Sequence, residues 1–121
     1  MVANLTGRYT RTAAADITAG TILKMNESKQ FEVAGTSDTA VGLYVAVADT
    51  KEGRPVVGRS VARGGGAAVV ATAGTYTTGE AVYLADEGKV ASSGSTKIGN
   101  YVGVTETLDA EGEIEVDLSL V

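Results

Sequence analysis

The chain has 121 residues, 44% of them hydrophobic, and a formal charge of −5. That length suits one domain with its own core, while the lack of cysteine and histidine removes disulfide frameworks, thiolate zinc sites, Cys/His nucleophilic pairs and Ser-His-Asp triads. Residues 1–63 carry eight Lys/Arg and six Asp/Glu, net +2, whereas residues 64–121 carry two and nine, net −7; an acidic second half argues against duplex nucleic acid, whose phosphates need clustered Lys and Arg.

The amino-terminal "MVANLTGRYTRT" has no apolar core of a secretion leader. The longest nearly continuous apolar run, "VGLYVAVA" at 41–48, is far below the roughly 18 residues of a membrane-spanning helix. A chain made in the cytoplasm, with no membrane contact, is expected. Sixteen glycines, one proline and short runs of Val, Thr, Ile and Tyr predict many brief strands joined by tight turns, an all-β fold.

The first clear unit is "ITAGTILKMNESKQF" at 17–31. Its turn, "NESK", has no glycine, so it should be longer than a tight hairpin loop or place Asn26 in the left-handed region. In "AVGLYVAV", Val41, Leu43, Val45 and Val47 share one face and Gly42, Tyr44 and Ala46 the other, which predicts a strand covered on both sides. Arg54, Arg59 and Arg63 form a modest basic grouping, read as a solvated edge. "RGGG" at 63–66 follows no Lys-Ser/Thr and opens no helical pattern; it reads as a flexible or tightly bent connector rather than a phosphate cradle.

In the second half, "YTTGEAVYLADEGKV" at 76–90 predicts a hairpin whose Gly88 supplies a positive φ. The terminal "EIEVDLSLV" alternates Ile114, Val116, Leu118 and Leu120 with Glu113, Glu115, Asp117 and Ser119, a strand with one wet face.

The halves read alike. At an offset of 59, Thr18 meets Thr77, Gly20 meets Gly79, Met25 meets Leu84, Phe31 meets Val90, and "RYTRTAAADITAG" falls on "AAVVATAGTYTTG". An offset of 57 pairs Tyr44-Val45 with Tyr101-Val102 and Val47 with Val104; 59 then returns, so that Val57 meets Val116. The expectation is a single β domain over 8–121, built from duplicated units at 8–62 and 67–121 joined by 63–66, with residues 1–7 as an arm outside the repeat. A β half of about 55 residues buries too little surface to stand alone, so the two should pack together.

Catalytic chemistry is hard to place. Glu113, Glu115 and Asp117, with Asp109 and Glu111 nearby, could hold Ca²⁺ or meet a basic partner, but they also read as a solvated face that discourages edge pairing. Carboxylates on one strand cannot oppose each other across a cleft, as glycoside hydrolysis requires. Tyr44 and Tyr101 read as equivalent core or interface positions. No catalytic, cofactor or metal residue is expected.

With "ITAGTILKM", "AVGLYVAV", "TTGEAVYLADEGKV" and "IGNYVGVTET" spread over most of residues 17–121, the sequence resembles the small head decoration, or cementing, proteins of tailed bacteriophages. The resemblance implies a β-barrel-like domain of the kind called a β-tulip. It also implies a homotrimer at threefold and quasi-threefold positions on the outer capsid surface of the virion, the major capsid protein as partner, and a stabilised shell. It makes the arm, residues Val2, Ala3, Asn4, Leu5 and Thr6, the expected capsid-binding segment. The alternative is a carbohydrate- or peptide-binding β-clip module, which would call for exposed aromatic side chains that this chain has few of.

Overall fold

The computed structural model describes residues 8–38 and 42–119, so the arm and its five candidate contact residues lie outside the described part, as do Val41 and Leu120. Among the described residues there are twelve strands: β1 Arg8–Thr12, β2 Ile22–Met25, β3 Phe31–Val33, β4 Leu43–Ala46, β5 Pro55–Ser60, β6 Gly65–Ala71, β7 Gly74–Tyr76, β8 Ala81–Leu84, β9 Val90–Ala91, β10 Lys97–Tyr101, β11 Glu106–Leu108 and β12 Gly112–Leu118. The protein is all-β. Single 3-10 turns at Val61–Arg63 and Asp86–Gly88 interrupt the strands.

The first segment forms a five-stranded sheet in the order β1-β5-β4-β2-β3, and the second a closed barrel in the order β10-β12-β6-β9-β8. Closure rests on one parallel pair, Ala71 with Val90. In the first sheet the matching parallel contact, Ala13 with Phe31, is only an isolated bridge. Strands β7 and β11 make a separate two-stranded ribbon.

Setting Ile22 against Ala81, the ladders of the first sheet run in the same order as those of the barrel. They equate Tyr9 with Ala67 and Gly58 with Val116, an offset of 58 and not the 59 expected from the sequence. Side-chain faces explain the shift. Val56 is buried and Val57 only half so, whereas Val116 is fully buried; a one-residue slip in a strand turns the core face outward. Likewise the ladders set Tyr44 against Gly99 and Ala46 against Tyr101, so the two tyrosines are not equivalent positions.

Two apolar clusters follow from this arrangement. The larger fills the barrel with Val69, Tyr76, Val82, Leu84, Ile98, Tyr101, Ile114, Val116 and Leu118, and it also takes in Ile22, Leu43, Val45 and Val61 from the first segment. The smaller lies on the other face of the first sheet and gathers Ala13, Ile17, Leu23, Phe31, Ala46 and Val56, with Tyr9, Met25 and Tyr44 packed against it. Strand β4 is therefore covered on both faces, as its unbroken apolar pattern predicts: Leu43 and Val45 point to the shared core, Tyr44 and Ala46 to the aromatic cluster. Backbone contacts join the two lobes, with Val70 N–H donating to the Gly20 carbonyl at 3.0 Å and Gly88 N–H to the Ala34 carbonyl at 2.9 Å.

The hairpin β8-β9 turns with Gly88 at φ 68°, as its sequence predicts, and with Glu87 at φ 60°. The first-segment turn differs from expectation. It is of the same length, five residues (26–30 against 85–89), and the left-handed position is Lys29 at φ 61°, the counterpart of Gly88. Asn26 instead accepts two backbone bonds with its side-chain oxygen, from Ser28 N–H at 2.9 Å and Gln30 N–H at 3.0 Å. An L-residue in the left-handed region costs about 1–2 kcal/mol, and glycine's lost freedom offsets about 0.5–1 kcal/mol of any relief. Lys29→Gly should therefore raise unfolding free energy by up to about 1 kcal/mol, read from urea midpoints; a lowered midpoint would mean that Lys29 contributes contacts outweighing its backbone strain.

"RGGG" is a tight bend and not a flexible tether. Gly64 and Gly65 adopt φ of 72° and 94°, and Gly65 and Gly66 already belong to β6, opposite Leu118 and Asp117. The Arg59 guanidinium donates to the carbonyls of Gly66 and Gly64, which fastens the connector to the first sheet.

Candidate functional site

Among the described residues no group of three or more acidic side chains is placed to hold a metal ion, and no helix is long and apolar enough to cross a membrane. The acidic residues singled out in the sequence are dispersed. Glu113, Glu115 and Asp117 do lie exposed on one face of β12, but β12 is an interior strand between β10 and β6, so they guard no sheet edge. Glu111 turns away to meet Lys89 Nζ at 2.5 Å. The three arginines are strung along β5 and the turns flanking it, with Arg59 committed to the glycine bend.

Several clefts open at the surface of the described residues. One of about 410 Å³ lies between the lobes and is lined by Asp16, Thr18, Glu87, Lys89 and Glu111 among others. There the hydrogen bond from Lys89 to Glu111, aided by Glu87, holds the Lys89 ammonium above its ordinary range, the opposite of what an amine nucleophile or base needs. A neighbouring cleft of about 420 Å³ shares Asp16. The Glu52 backbone N–H, at 2.9 Å, and the charge of Lys51 keep that carboxylate below the usual range, so it serves as an acceptor tying the loop down. Neither group is tuned toward neutral pH.

The third cleft, of about 390 Å³, has a floor of Ala19, Gly20, Gly66, Ala67 and Ala68, with Val45 and Val47 on the first-sheet side and Arg8 and Arg59 at the rim. Small side chains here follow from the close approach of the lobes: a Cβ at Gly20 would stand 3.2 Å from the Ala68 carbonyl oxygen. Over β6 and β12, a shallower hollow of about 270 Å³ shares Gly66, Ala67 and Ala68 and adds Val102 and Glu115.

Three large apolar side chains are exposed among the described residues: Val47 at 44%, Val102 at 52% and Val104 at 84%. Sequence reasoning placed Val47 and Val104 at matching positions but gave no hint of their exposure, since a valine after a buried strand reads as core. The loop carrying Val102 and Val104 is held in shape. The buried Tyr101 phenol donates to the Val104 carbonyl at 2.5 Å, the Thr78 hydroxyl to the Gly103 carbonyl at 2.6 Å, and the Thr78 N–H to the Thr105 hydroxyl at 3.1 Å. Burial, then the charges of Glu106 and Glu115, push the Tyr101 phenol above its ordinary range, so it stays a proton donor. The result is a fixed apolar projection with carboxylates beside it. Such rigidity lowers the ordering cost of binding.

No protein-family model and no curated protein matches the chain. Among solved structures it is similar to the head fiber gp8.5 N base of bacteriophage phi29, with a TM-score of 0.68 and 16% sequence identity over 93% of this chain and 92% of that one. At that identity the likeness lies in the fold, which the two chains share almost from end to end.

Proposed function

We propose that the chain is a structural protein of a bacteriophage head, sitting on the outer capsid surface of the virion, where it decorates and stabilises the shell. The carrying observation is the near-complete fold match to a head fiber base in both directions. The clefts add support, since their ionisable groups are locked in ion pairs and backbone bonds instead of being poised for chemistry. A shell offers many identical sites, so a modest contact per subunit suffices once linked subunits engage neighbouring capsomers together. In this reading the partner is the major capsid protein, and the chain acts as a homotrimer at threefold and quasi-threefold positions. The arm, Val2–Thr6, anchors it by adding an extended segment to an exposed sheet edge.

The test is co-sedimentation of the purified chain with undecorated heads, followed by density maps of the decorated particles. Saturable uptake at threefold positions is expected; no uptake, or solitary subunits elsewhere, would refute the reading. Deleting residues 2–6 should leave the melting temperature of the isolated chain almost unchanged while weakening uptake about tenfold, or about 1.4 kcal/mol. Undiminished uptake would move the anchor from the arm to the barrel loops.

A further inference from the structure

From the exposed valines and the charges around them, we infer that copies of this chain bind one another by seating the Val102–Val104 loop of one copy in the Arg8–Arg59 cleft of the next. This rests on the self-association proposed above and names the surfaces that carry it. The projection and the receptacle are complementary in polarity and charge. Val104 stands 84% exposed on a loop fixed by the Tyr101 and Thr78 hydroxyls, and the cleft offers the exposed Val47 side chain beside a lining of glycine and alanine. The loop has Glu106 and Glu115 close by, and the cleft is rimmed by Arg8 and Arg59, against a single carboxylate, Glu113, on its far wall. The same polarity holds for the whole chain, +2 in residues 1–63 and −7 in residues 64–121. Opposite fields of this kind steer and orient association.

Each copy carries one projection and one cleft, which adjoin across Gly66, Ala67 and Ala68 of β6. A contact between unlike surfaces, in which every subunit gives its loop to one neighbour and receives the loop of the other, makes a ring where the rotation between neighbours closes and a filament where it does not; the proposed trimer is the closed case. A partner with two like surfaces facing would instead bring Glu115 against Glu115, at an electrostatic cost.

Sedimentation velocity of the full chain over a range of concentrations tests this. The wild type should associate, Val104→Asp and Arg8→Glu should each weaken association at least tenfold, and the double charge swap Arg8→Glu/Glu115→Arg should recover most of the loss. Because Val104 is almost fully solvated, its variant should melt with the wild type, which separates lost association from lost folding. A wild type that associates while Val104→Asp does so equally well would overturn the inference and leave the trimer standing on other surfaces. A double swap no better than Arg8→Glu alone would overturn the charge pairing. A wild type that stays monomeric at every concentration, and is found as solitary subunits on heads, would overturn both.

Discussion

Phe31→Ala is expected to lower the unfolding free energy by about 3–5 kcal/mol, a large part of the roughly 6–18 kcal/mol that a domain of this length holds. The ring is fully buried and is the largest piece of a small cluster. Its centroid is 4.9 Å from that of Tyr44, which in turn meets Tyr9 edge-on at 5.4 Å. Gly58 makes room for it: a Cβ there would come within 2.8 Å of the ring. Once the ring is gone, the neighbours Ala13, Ala46 and Gly58 have no side-chain length to fill the void, so the cavity persists. Urea unfolding at equilibrium checks this, and a loss below about 1.5 kcal/mol would show that Tyr9 and Tyr44 collapse into the space.

Gly88→Ala is expected to cost about 2–5 kcal/mol, from two sources that add: a methyl group in the left-handed region and overpacking. Gly88 has φ 68°, and a Cβ on it would stand 2.5 Å from both the Ile22 carbonyl oxygen and the Thr21 methyl, across the junction of the lobes. Backbone cannot yield as a flexible side chain can. Gly79→Ala is the control, because Gly79 also has a positive φ, 88°, but a methyl group there would meet nothing within 4 Å; it should cost only about 1–2 kcal/mol. Both losses are read from urea midpoints. Equal losses for the two variants would place the whole effect in the local backbone and none in the lobe junction.

Much of the fold was legible. The period-two alternation of 113–118 marked β12, and the unbroken apolar run at 41–47 marked a strand covered on both sides, because a sheet face records in its side chains what covers it. The acidic pair before Gly88 marked its hairpin. Register was harder to read. As letters the offset of 59 matches better, with Glu52, Gly53, Val57 and Ser60 each meeting its like, yet the ladders, with Val56 rather than Val57 turned inward, settle on 58. The order of those ladders supports our proposal that the chain arose from a duplicated unit. The candidate surface was the least legible part. Val47, Val102 and Val104 are ordinary strand residues by type, and their exposure depends on where β4 and β10 end. Lys29 was missed as a left-handed residue because nothing in a lysine announces that backbone; only its position opposite Gly88 does.

The sharing of one core between the lobes bears on how the protein is made. Ile22, Leu43 and Val45 are covered by side chains that come later in the chain, chiefly from β6, β8, β10 and β12. During synthesis, at about 5–20 residues per second, the first segment waits several seconds with that sheet face bare. Its own aromatic cluster can form meanwhile, since every member precedes Arg59. The nascent chain therefore passes through a stage in which every side chain of one sheet face has been made while the other face still lacks its cover, and such transiently exposed apolar surface is prone to aggregate. Slow codons placed across residues 64–118 should therefore shift product into aggregates without altering the finished protein.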